Sequence, residues 1–276
     1  MRSPFHLLGR LRSKSRGEIA VYLRCRIQDA AAQFCGIPRL RSAPTYRAFL
    51  PDSLFVFNLH PEFRGLARRF FAHNRSNRGD AARLAAFVLN IKQVLADGVP
   101  GDFAELGVWR GNTAAVLAHY AASAGRQTLL FDTFEGFDEK DITGIDHQKG
   151  REFQNTSLEL TASVIGERAG VQFVKGYFPN TVTDEFRARR FAVVSLDCDL
   201  YAPMKSGLEF FYPRMEPGAI FLLHDYSSGF WEGAKRAIDE FCAATGEHLI
   251  LIPDKSGSAF IRKSRGSGSQ PIERSE

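Results

Sequence analysis

The chain has 276 residues, of which 44% are hydrophobic and 24% charged, a composition typical of a globular protein with a sizeable core. No segment reaches the run of about 18 apolar residues that a membrane-spanning helix needs. The first 30 residues carry charges throughout, so we expect no signal peptide and predict a cytoplasmic location. The four cysteines lack CxxC or Cys/His spacing, which argues against a disulfide framework or a zinc site.

The net charge of +5 is concentrated near the amino terminus. Residues 1–50 contain ten Lys and Arg against two Asp and Glu, so the rest of the chain carries a net charge of −3. Apolar residues between Ile19 and Phe34 recur at helical spacing, and we interpret residues 1–79 as a basic helical arm and linker. The helix could dock on the main domain or on a second copy of the chain, or bind an anionic membrane or nucleic acid. We favour docking. A nucleic-acid partner is not expected, because the aromatic residues that would stack on bases are missing from this segment.

A helix is predicted directly after this arm. Asp80 has the position of an N-cap, apolar residues from Leu84 to Leu95 follow at helical spacing, and Gly98 marks the stop. Beyond it, short apolar runs alternate with helical stretches, which predicts an α/β fold with a doubly wound, mostly parallel sheet. The strand candidates are GDFAELGV, QTLLFDTF, VQFVKGYF, FAVVSLDCD, AIFLLHDY and LILIPD.

Ligands of such sheets bind beyond the carboxyl ends of the strands, so polar residues just past each apolar run are candidate site residues. Glu105 ends the first strand, and Gly107 and Gly111 bracket the turn into the next helix. Glycines there let a ligand approach the backbone, while the acid favours a cationic or zwitterionic cofactor over a phosphate. Asp132 ends the second strand, where a carboxylate can accept hydrogen bonds from the hydroxyls of a ribose. A dinucleotide-dependent oxidoreductase is disfavoured because the GxGxxG turn is missing.

Six ordered blocks, GDFAELGVWRGN, DTFEGF, VKGYFPNTV, LDCDLYAP, MEPGAIFLLHDY and GAKRAIDEF, resemble the macrocin O-methyltransferase (TylF-like) family of S-adenosylmethionine-dependent enzymes. The resemblance implies a class I methyltransferase, Rossmann-like fold with a seven-stranded sheet over residues 80–263. It further implies methyl transfer to a hydroxyl of a sugar or polyol in a small, glycosidic acceptor, assisted by a divalent cation that is usually magnesium. The tail, residues 264–276, is predicted to be disordered.

The resemblance assigns roles to individual residues of this chain. Glu105 and Gly107 match the cofactor-binding strand end, Asp132 matches the ribose-binding acid, and Asp197 and Asp199 match the Asp-x-Asp at the end of the fourth strand. A cation held by carboxylates can bind vicinal hydroxyls and lower their pKa, and a neighbouring acid or histidine can then take the proton. Because neighbouring strands bring their ends together, the predicted metal ligands are Asp199, His224 and Asp225. Asp197 is predicted to bind the cofactor, and Asp199 and His224 are the candidate catalytic residues.

The chain departs from the family pattern at His224, which stands where the pattern has the first of two acids. An imidazole weakens a magnesium site and favours manganese, iron or zinc. The alternatives left open are a metal-free reaction with His224 as general base, and a non-catalytic nucleoside-binding module.

Three further residues are weaker candidates. His147 lies in the charged loop after the second strand and could act as a base over the acceptor, or be solvated. Gly176 and Tyr177 end the third strand and could border the adenine of the cofactor, or belong to the core. The apolar face of the amino-terminal helix also makes a homo-oligomer a hypothesis. The identity of the methyl acceptor is not predicted.

Overall fold

The computed structural model describes residues 62–74, 77 and 80–264, all within one compact unit that spans Asp52–Glu276. The predicted amino-terminal helix and the predicted disordered tail, apart from Ser264, lie outside the described residues. Within the described ranges, no helix is long and apolar enough to cross a membrane.

Helices and strands alternate along the described residues, and we number them in chain order. The helices are α1 (Phe63–Phe70), α2 (Ala81–Ala96), α3 (Asn112–Ser123), α4 (Leu158–Ile165), α5 (Asp184–Ala188), α6 (Tyr201–Phe211) and α7 (Glu232–Thr245). The strands are β1 (Asp102–Leu106), β2 (Thr128–Asp132), β3 (Val171–Lys175), β4 (Phe191–Leu196), β5 (Met215–Leu223), β6 (Ile250–Leu251) and β7 (Ala259–Arg262). Short 3-10 helices cover Glu139–Asp141, Gly144–Asp146 and Tyr212–Arg214.

The seven strands form one sheet in the order β3-β2-β1-β4-β5-β7-β6. The first five strands of that order pair in parallel, whereas β7 is antiparallel to both of its neighbours. The doubly wound, mostly parallel sheet is therefore confirmed. Strand β7, in the segment AFIR, was not among the six strand candidates, because four residues next to a Ser- and Gly-rich turn give little periodicity.

The strand order reverses between β1 and β4, and this reversal determines where a ligand can bind. The chain builds outward from β1 through β2 to β3 and then returns to add β4 and β5 on the other side. The loops that leave β1 and β4 therefore diverge and open a crevice at the carboxyl edge of the sheet. Strand β4 is buried at all six positions, as its uninterrupted apolar sequence predicts for a central parallel strand.

Helix α2 begins and ends as predicted. The side chain of Asp80 accepts a hydrogen bond from the backbone N–H of Arg83, which satisfies one of the free amides at the helix start. Gly98 has φ +67° and donates its N–H to Leu95 O just after the helix end.

Helix α1 lies within the segment that we interpret as arm and linker. Its residues Phe63, Leu66 and Phe70 are buried in the main hydrophobic core. Apolar packing therefore extends to the amino-terminal side of Asp80, while the division of the chain at residues 79 and 80 stays a prediction.

Candidate active site

A cavity opens at the carboxyl ends of β1 to β4, at the strand-order reversal. Most of the residues that the sequence singles out as cofactor-binding lie on its wall. They are Glu105, Gly107, Asp132, Gly176, Tyr177 and Asp197, together with the proposed catalytic residue Asp199. Gly111 is instead the N-cap of α3, with φ +77°, and it packs against Thr161 of α4.

Gly107 sits where the ends of β1 and β4 come into contact. It has φ +84°, and a Cβ atom there would lie 2.2 Å from the carbonyl oxygen of Asp197. No side chain fits in this space, because both the backbone conformation and the neighbouring backbone exclude it. The glycine therefore allows the first turn to lie directly against the Asp197 strand end.

Glu105 is a buried acid with one oxygen unused. Its Oε1 atom accepts a hydrogen bond from Ser195 Oγ at 3.1 Å, whereas Oε2 has no partner among the described residues. Burial, and then the negative charge of Asp197, raise the pKa of Glu105 well above its usual range. A buried acceptor without a donor is costly, so this atom is suited to a donor that arrives with a ligand.

Asp132 uses its carboxylate to hold the first turn in place. Oδ2 accepts hydrogen bonds from the amides of Val108 (2.6 Å) and Trp109 (2.8 Å), and Oδ1 accepts one from Phe134 N (2.6 Å). Burial raises the pKa of Asp132, and these amides oppose that effect. Since each carboxylate oxygen accepts about two hydrogen bonds, Oδ2 is saturated and little capacity is left for two ribose hydroxyls. The ribose-binding role stays a prediction.

Four potential metal ligands meet beside this cavity. Asp197 and Asp199 follow β4, and His224 and Asp225 follow β5. A hydrogen bond of 3.0 Å from His224 N to Leu196 O continues the ladder between these two strands and brings their ends together. One ligand atom from each of the four residues lies within 4.8 Å of the others.

This cluster fits a divalent cation. Ligands placed about 2.0–2.4 Å from a common ion are at most about 4–5 Å apart, which matches the observed spacing. His224 Nδ1 lies 2.7 Å from Asp197 Oδ1 and 2.5 Å from Asp225 Oδ2, yet neither contact is aligned as a hydrogen bond. His224 Nε2 is also buried and has no hydrogen-bond partner among the described residues. Three acids and an imidazole held this close together, with one buried ring nitrogen that has no partner, are characteristic of a site that holds an ion.

The charges of the cluster compensate one another. Burial and the nearby Arg83 lower the pKa of His224, but the carboxylates of Asp197 and Asp225 outweigh them and raise it to about 10. Burial raises the pKa of Asp197, and the positive charges of His224 and Arg83 reverse that effect and lower it. The pKa of Asp199 is well above its usual range because of burial and the charges of Asp225 and Asp197.

Two acids of the cluster have an uncommon backbone conformation. Asp199 has φ +60° and Asp225 has φ +59°, and both are buried. Left-handed backbone is uncommon outside glycine, although aspartate tolerates it better than most residues, and such conformations concentrate at functional sites. The same turn geometry at the ends of β4 and β5 therefore directs both acids to one place.

Arg83 is a site residue that the sequence analysis missed. It is 2% exposed, lines the cavity, and forms an ion pair of 2.9 Å between Nη2 and Asp197 Oδ2. Nη2 also donates to Thr113 Oγ1 at 3.3 Å. The sequence contains one signal for this role, because Arg83 is a single arginine among the apolar residues of α2. An arginine at such a position is expected to have a partner, since an unpaired charge is almost never buried.

His147 lies away from this group. It is exposed at the end of the 3-10 helix Gly144–Asp146, its Nδ1 is 2.8 Å from Gly144 O, and it does not line the cavity. Its catalytic role stays a prediction. Tyr177 lines the cavity, but its hydroxyl donates to Asp141 Oδ1 at 2.7 Å, which ties the third strand end to the loop after β2.

The fold and this edge of the sheet define the class of protein. The O-methyltransferase NovP covers 78% of this chain over its full length with a TM-score of 0.61 and 22% identity, and the calicheamicin methyltransferase CalS11 covers 80% with a TM-score of 0.51 and 21% identity. At these identities the likeness concerns the fold, which is that of class I methyltransferases.

The family model for macrocin O-methyltransferase (TylF) matches residues 74–260, so the chain belongs to that family. One relative is an 8-demethyl-8-(2,3-dimethoxy-alpha-L-rhamnosyl)-tetracenomycin-C 4′-O-methyltransferase of Streptomyces olivaceus, 35% identical over 50% of this chain and 57% of the relative. Another is the mycinamicin III 3″-O-methyltransferase of Micromonospora griseorubida, 34% identical over 49% of this chain and 59% of the relative. The match thus spans somewhat under three fifths of each relative.

Proposed function

We propose that the protein is an S-adenosylmethionine-dependent O-methyltransferase that methylates a sugar hydroxyl of a small molecule with the help of a divalent cation. The observation that carries this proposal is the cluster of Asp197, Asp199, His224 and Asp225 beside the cavity at the strand-order reversal. Family membership supports the cofactor and the type of reaction. Both relatives are named as O-methyltransferases, and the one from Streptomyces olivaceus is named for a rhamnosyl-bearing compound, which supports a glycosidic acceptor.

In this proposal, different residues of the chain bind the cofactor and the acceptor. Gly107 lets the turn after β1 lie against the end of β4, where both line the cofactor cavity, and Glu105 offers an unused acceptor to the cationic amino-acid end of the cofactor. Asp199, His224 and Asp225 would hold the cation, which when bound lowers the pKa of a sugar hydroxyl and fixes its orientation. Asp199 belongs both to the cluster and to the cavity wall, so it is the acid placed to take the hydroxyl proton.

A methyl-transfer assay tests this function. The chelator-treated protein is incubated with S-adenosylmethionine and a panel of glycosides, with and without added magnesium or manganese, and formation of S-adenosylhomocysteine is measured. We expect transfer that depends on the metal and falls at least about 100-fold in Asp199→Asn, since removing a general base typically costs that much. Asp184→Asn, at an exposed acid of α5, is the matched control and should keep its activity.

Two outcomes of this assay would favour a different function over the proposed one. Full transfer in the presence of chelator, lost in His224→Ala but kept in Asp199→Asn, would point to a metal-free reaction with His224 as base. Binding of S-adenosylhomocysteine without transfer to any acceptor would point to a nucleoside-binding module.

A further inference from the structure

The turn between β6 and β7, residues 254–258, lies beside the proposed metal ligands of β5. Strand β7 pairs with β5 so that Ala259, the first residue after the turn, is opposite Leu223, the last residue before His224. None of the five turn residues lines the cofactor cavity. The turn can therefore affect the cluster only through the segments that it contacts.

A buried acid holds this turn in one conformation. Asp254 is 4% exposed, and its Oδ1 atom accepts hydrogen bonds from the backbone amides of Ser256 (3.2 Å) and Ser258 (2.9 Å). A backbone hydrogen bond of 2.8 Å from Ile252 N to Ser258 O closes the base of the turn. An aspartate that binds amides two and four residues further along restricts the backbone between them.

Gly257 is the residue through which the turn contacts the loop after β5. Its carbonyl oxygen accepts hydrogen bonds from Ser227, at 2.9 Å from the backbone N and 3.1 Å from Oγ. Gly257 has φ +64°, and a Cβ atom there would lie 2.2 Å from Ser227 Oγ and 2.9 Å from the Ser227 carbonyl carbon. The hydroxyl can rotate away but the backbone carbon cannot, so a side chain at this position must displace the loop.

Only one residue separates Ser227 from Asp225. The Asp225 carbonyl oxygen accepts hydrogen bonds from Ser228, at 3.4 Å from the backbone N and 3.2 Å from Oγ, which closes a tight turn around Ser227. Asp225 is buried and has φ +59°, a region with few alternative conformations for an aspartate. A shift of Ser227 must therefore move the backbone of Asp225.

A second contact joins the same turn to the other half of the cluster. Lys255 N donates a hydrogen bond of 3.3 Å to Asp80 Oδ2, and Asp80 Oδ1 accepts one of 3.2 Å from Arg83 N at the start of α2. Arg83 is in turn paired with Asp197. One turn thus has hydrogen-bonded connections to the residues at the ends of both β4 and β5.

We propose that Gly257 is a positioning residue of the metal site, which holds Asp225 in place for the cation through its contact with Ser227. This inference rests on the proposed function, and it places a determinant of metal affinity outside both the cavity and the cluster. Residues that orient metal ligands without touching the ion typically contribute about 10- to 100-fold to metal affinity. Loss of the contact should therefore weaken metal binding and leave cofactor binding intact.

The test measures two affinities of Gly257→Ala by calorimetric titration of chelator-treated protein, one for manganese and one for S-adenosylhomocysteine. We expect the dissociation constant for manganese to rise at least about tenfold, because the added Cβ displaces the loop that carries Asp225. The dissociation constant for S-adenosylhomocysteine should change by less than about threefold, because the turn does not line the cavity.

Gly246→Ala is the matched control. Gly246 follows α7 with φ +75°, so alanine meets a similar backbone strain there, but no atom lies within 4 Å of the position that its Cβ would occupy. This variant should keep the wild-type affinity for manganese. A loss of manganese affinity as large as that of Gly257→Ala would overturn the proposal, because strain at a glycine would then explain the effect.

Asp254→Ala is the second variant, for use if Gly257→Ala does not fold as judged by thermal melting. It removes both hydrogen bonds that hold the turn, so manganese affinity should fall at least about threefold. Wild-type manganese affinity in the folded variant, or equal weakening of both ligands, would overturn the proposal. Failure of the proposed function is seen separately, in the wild-type protein, as the absence of S-adenosylhomocysteine or manganese binding.

Discussion

Gly107 lies on the cavity wall where the ends of β1 and β4 meet. Its φ of +84° and the carbonyl of Asp197, 2.2 Å from where a Cβ would lie, leave no room for any side chain. The obstacle is backbone of a neighbouring strand end, which cannot rotate away as a side chain can. A substitution must therefore separate the ends of β1 and β4.

We predict that Gly107→Ala destabilises the protein by more than about 3 kcal/mol and abolishes binding of S-adenosylhomocysteine. Gly125→Ala provides a matched control, because Gly125 has φ +67° but no atom within 4 Å of the position that a Cβ would occupy. It should cost only about 1 kcal/mol and leave binding intact. Denaturant unfolding and calorimetry measure both effects; equal costs at the two positions would contradict this account of Gly107.

In the proposed metal site, His224 is the residue that we expect to determine the choice of cation. An imidazole in place of a carboxylate removes an oxygen ligand and a negative charge, which weakens a magnesium site more than a manganese site. We predict that His224→Asp lowers the ratio of manganese to magnesium affinity at least about tenfold, as measured by calorimetry. His248→Asp, at an exposed histidine, should leave the ratio unchanged. An unchanged ratio in His224→Asp would show that the side chain is not a ligand.

At the scale of secondary-structure elements, one acid joins three helices. Glu62 precedes α1, and its Oε1 atom accepts hydrogen bonds of 2.9 Å from Lys92 Nζ of α2 and from Tyr120 OH of α3. Burial raises the pKa of Glu62, but hydrogen bonds from Lys92, from its own backbone amide and from Tyr120, together with the charge of Lys92, outweigh burial and lower the pKa from 4.5 to about 2. The ionised form of this side chain therefore stabilises the docking of α1.

The lowered pKa of Glu62 predicts a pH dependence of stability. Because the folded pKa lies below the unfolded one, the stabilisation is complete above about pH 5 and is lost as the pH falls from 4.5 towards 2. Allowing for partial exposure, we expect Glu62→Gln to lower the free energy of unfolding by about 1–2 kcal/mol at pH 7 and by much less at pH 2.5. The control is the free energy of unfolding of Glu209→Gln, at an exposed acid of α6, measured at the same two pH values. The same loss for Glu62→Gln at both pH values would contradict the assignment.

The loop after β2 is held to α6 and α7, the helices that follow β4 and β5. Asp146 is buried, and its Oδ2 atom accepts a hydrogen bond of 2.7 Å from the amide of Tyr201 at the start of α6. A Cβ atom on Gly233, near the start of α7, would lie 2.2 Å from that same oxygen. One carboxylate thus packs against the starts of two helices, and this contact fixes the loop that carries Asp141 beside the cavity.

At the scale of the whole molecule, the alternation of elements was readable from the sequence because it depends on local patterns. The Asp80 cap, the apolar face of α2 and the continuous apolar run of β4 each express a rule that acts over a few residues. Strand β7 was missed because its four residues depend on pairing with β5 rather than on their own periodicity. The order of helices and strands then predicts a parallel sheet, because few arrangements satisfy the rules for connections between parallel strands.

In the candidate site, only the residues at strand ends and those that match the family pattern could be predicted from the sequence. Asp197 and Asp199 could be placed beside His224 and Asp225 because neighbouring strands bring their ends together. The contact between Arg83 and Asp197 spans 114 positions and comes from a helix, so no spacing rule reveals it. The saturation of Asp132 by backbone amides also depends on the conformation of a turn, which the residue types alone do not determine.

The central claim is that this edge of the sheet binds S-adenosylmethionine and a divalent cation together. The most direct measurement is calorimetric titration of chelator-treated protein with S-adenosylhomocysteine, followed by magnesium and then manganese. We predict cofactor binding without metal, and saturable metal binding that Asp199→Ala abolishes. Metal binding that survives Asp199→Ala would contradict the cluster as the metal site, and the absence of any S-adenosylhomocysteine binding would contradict the account as a whole.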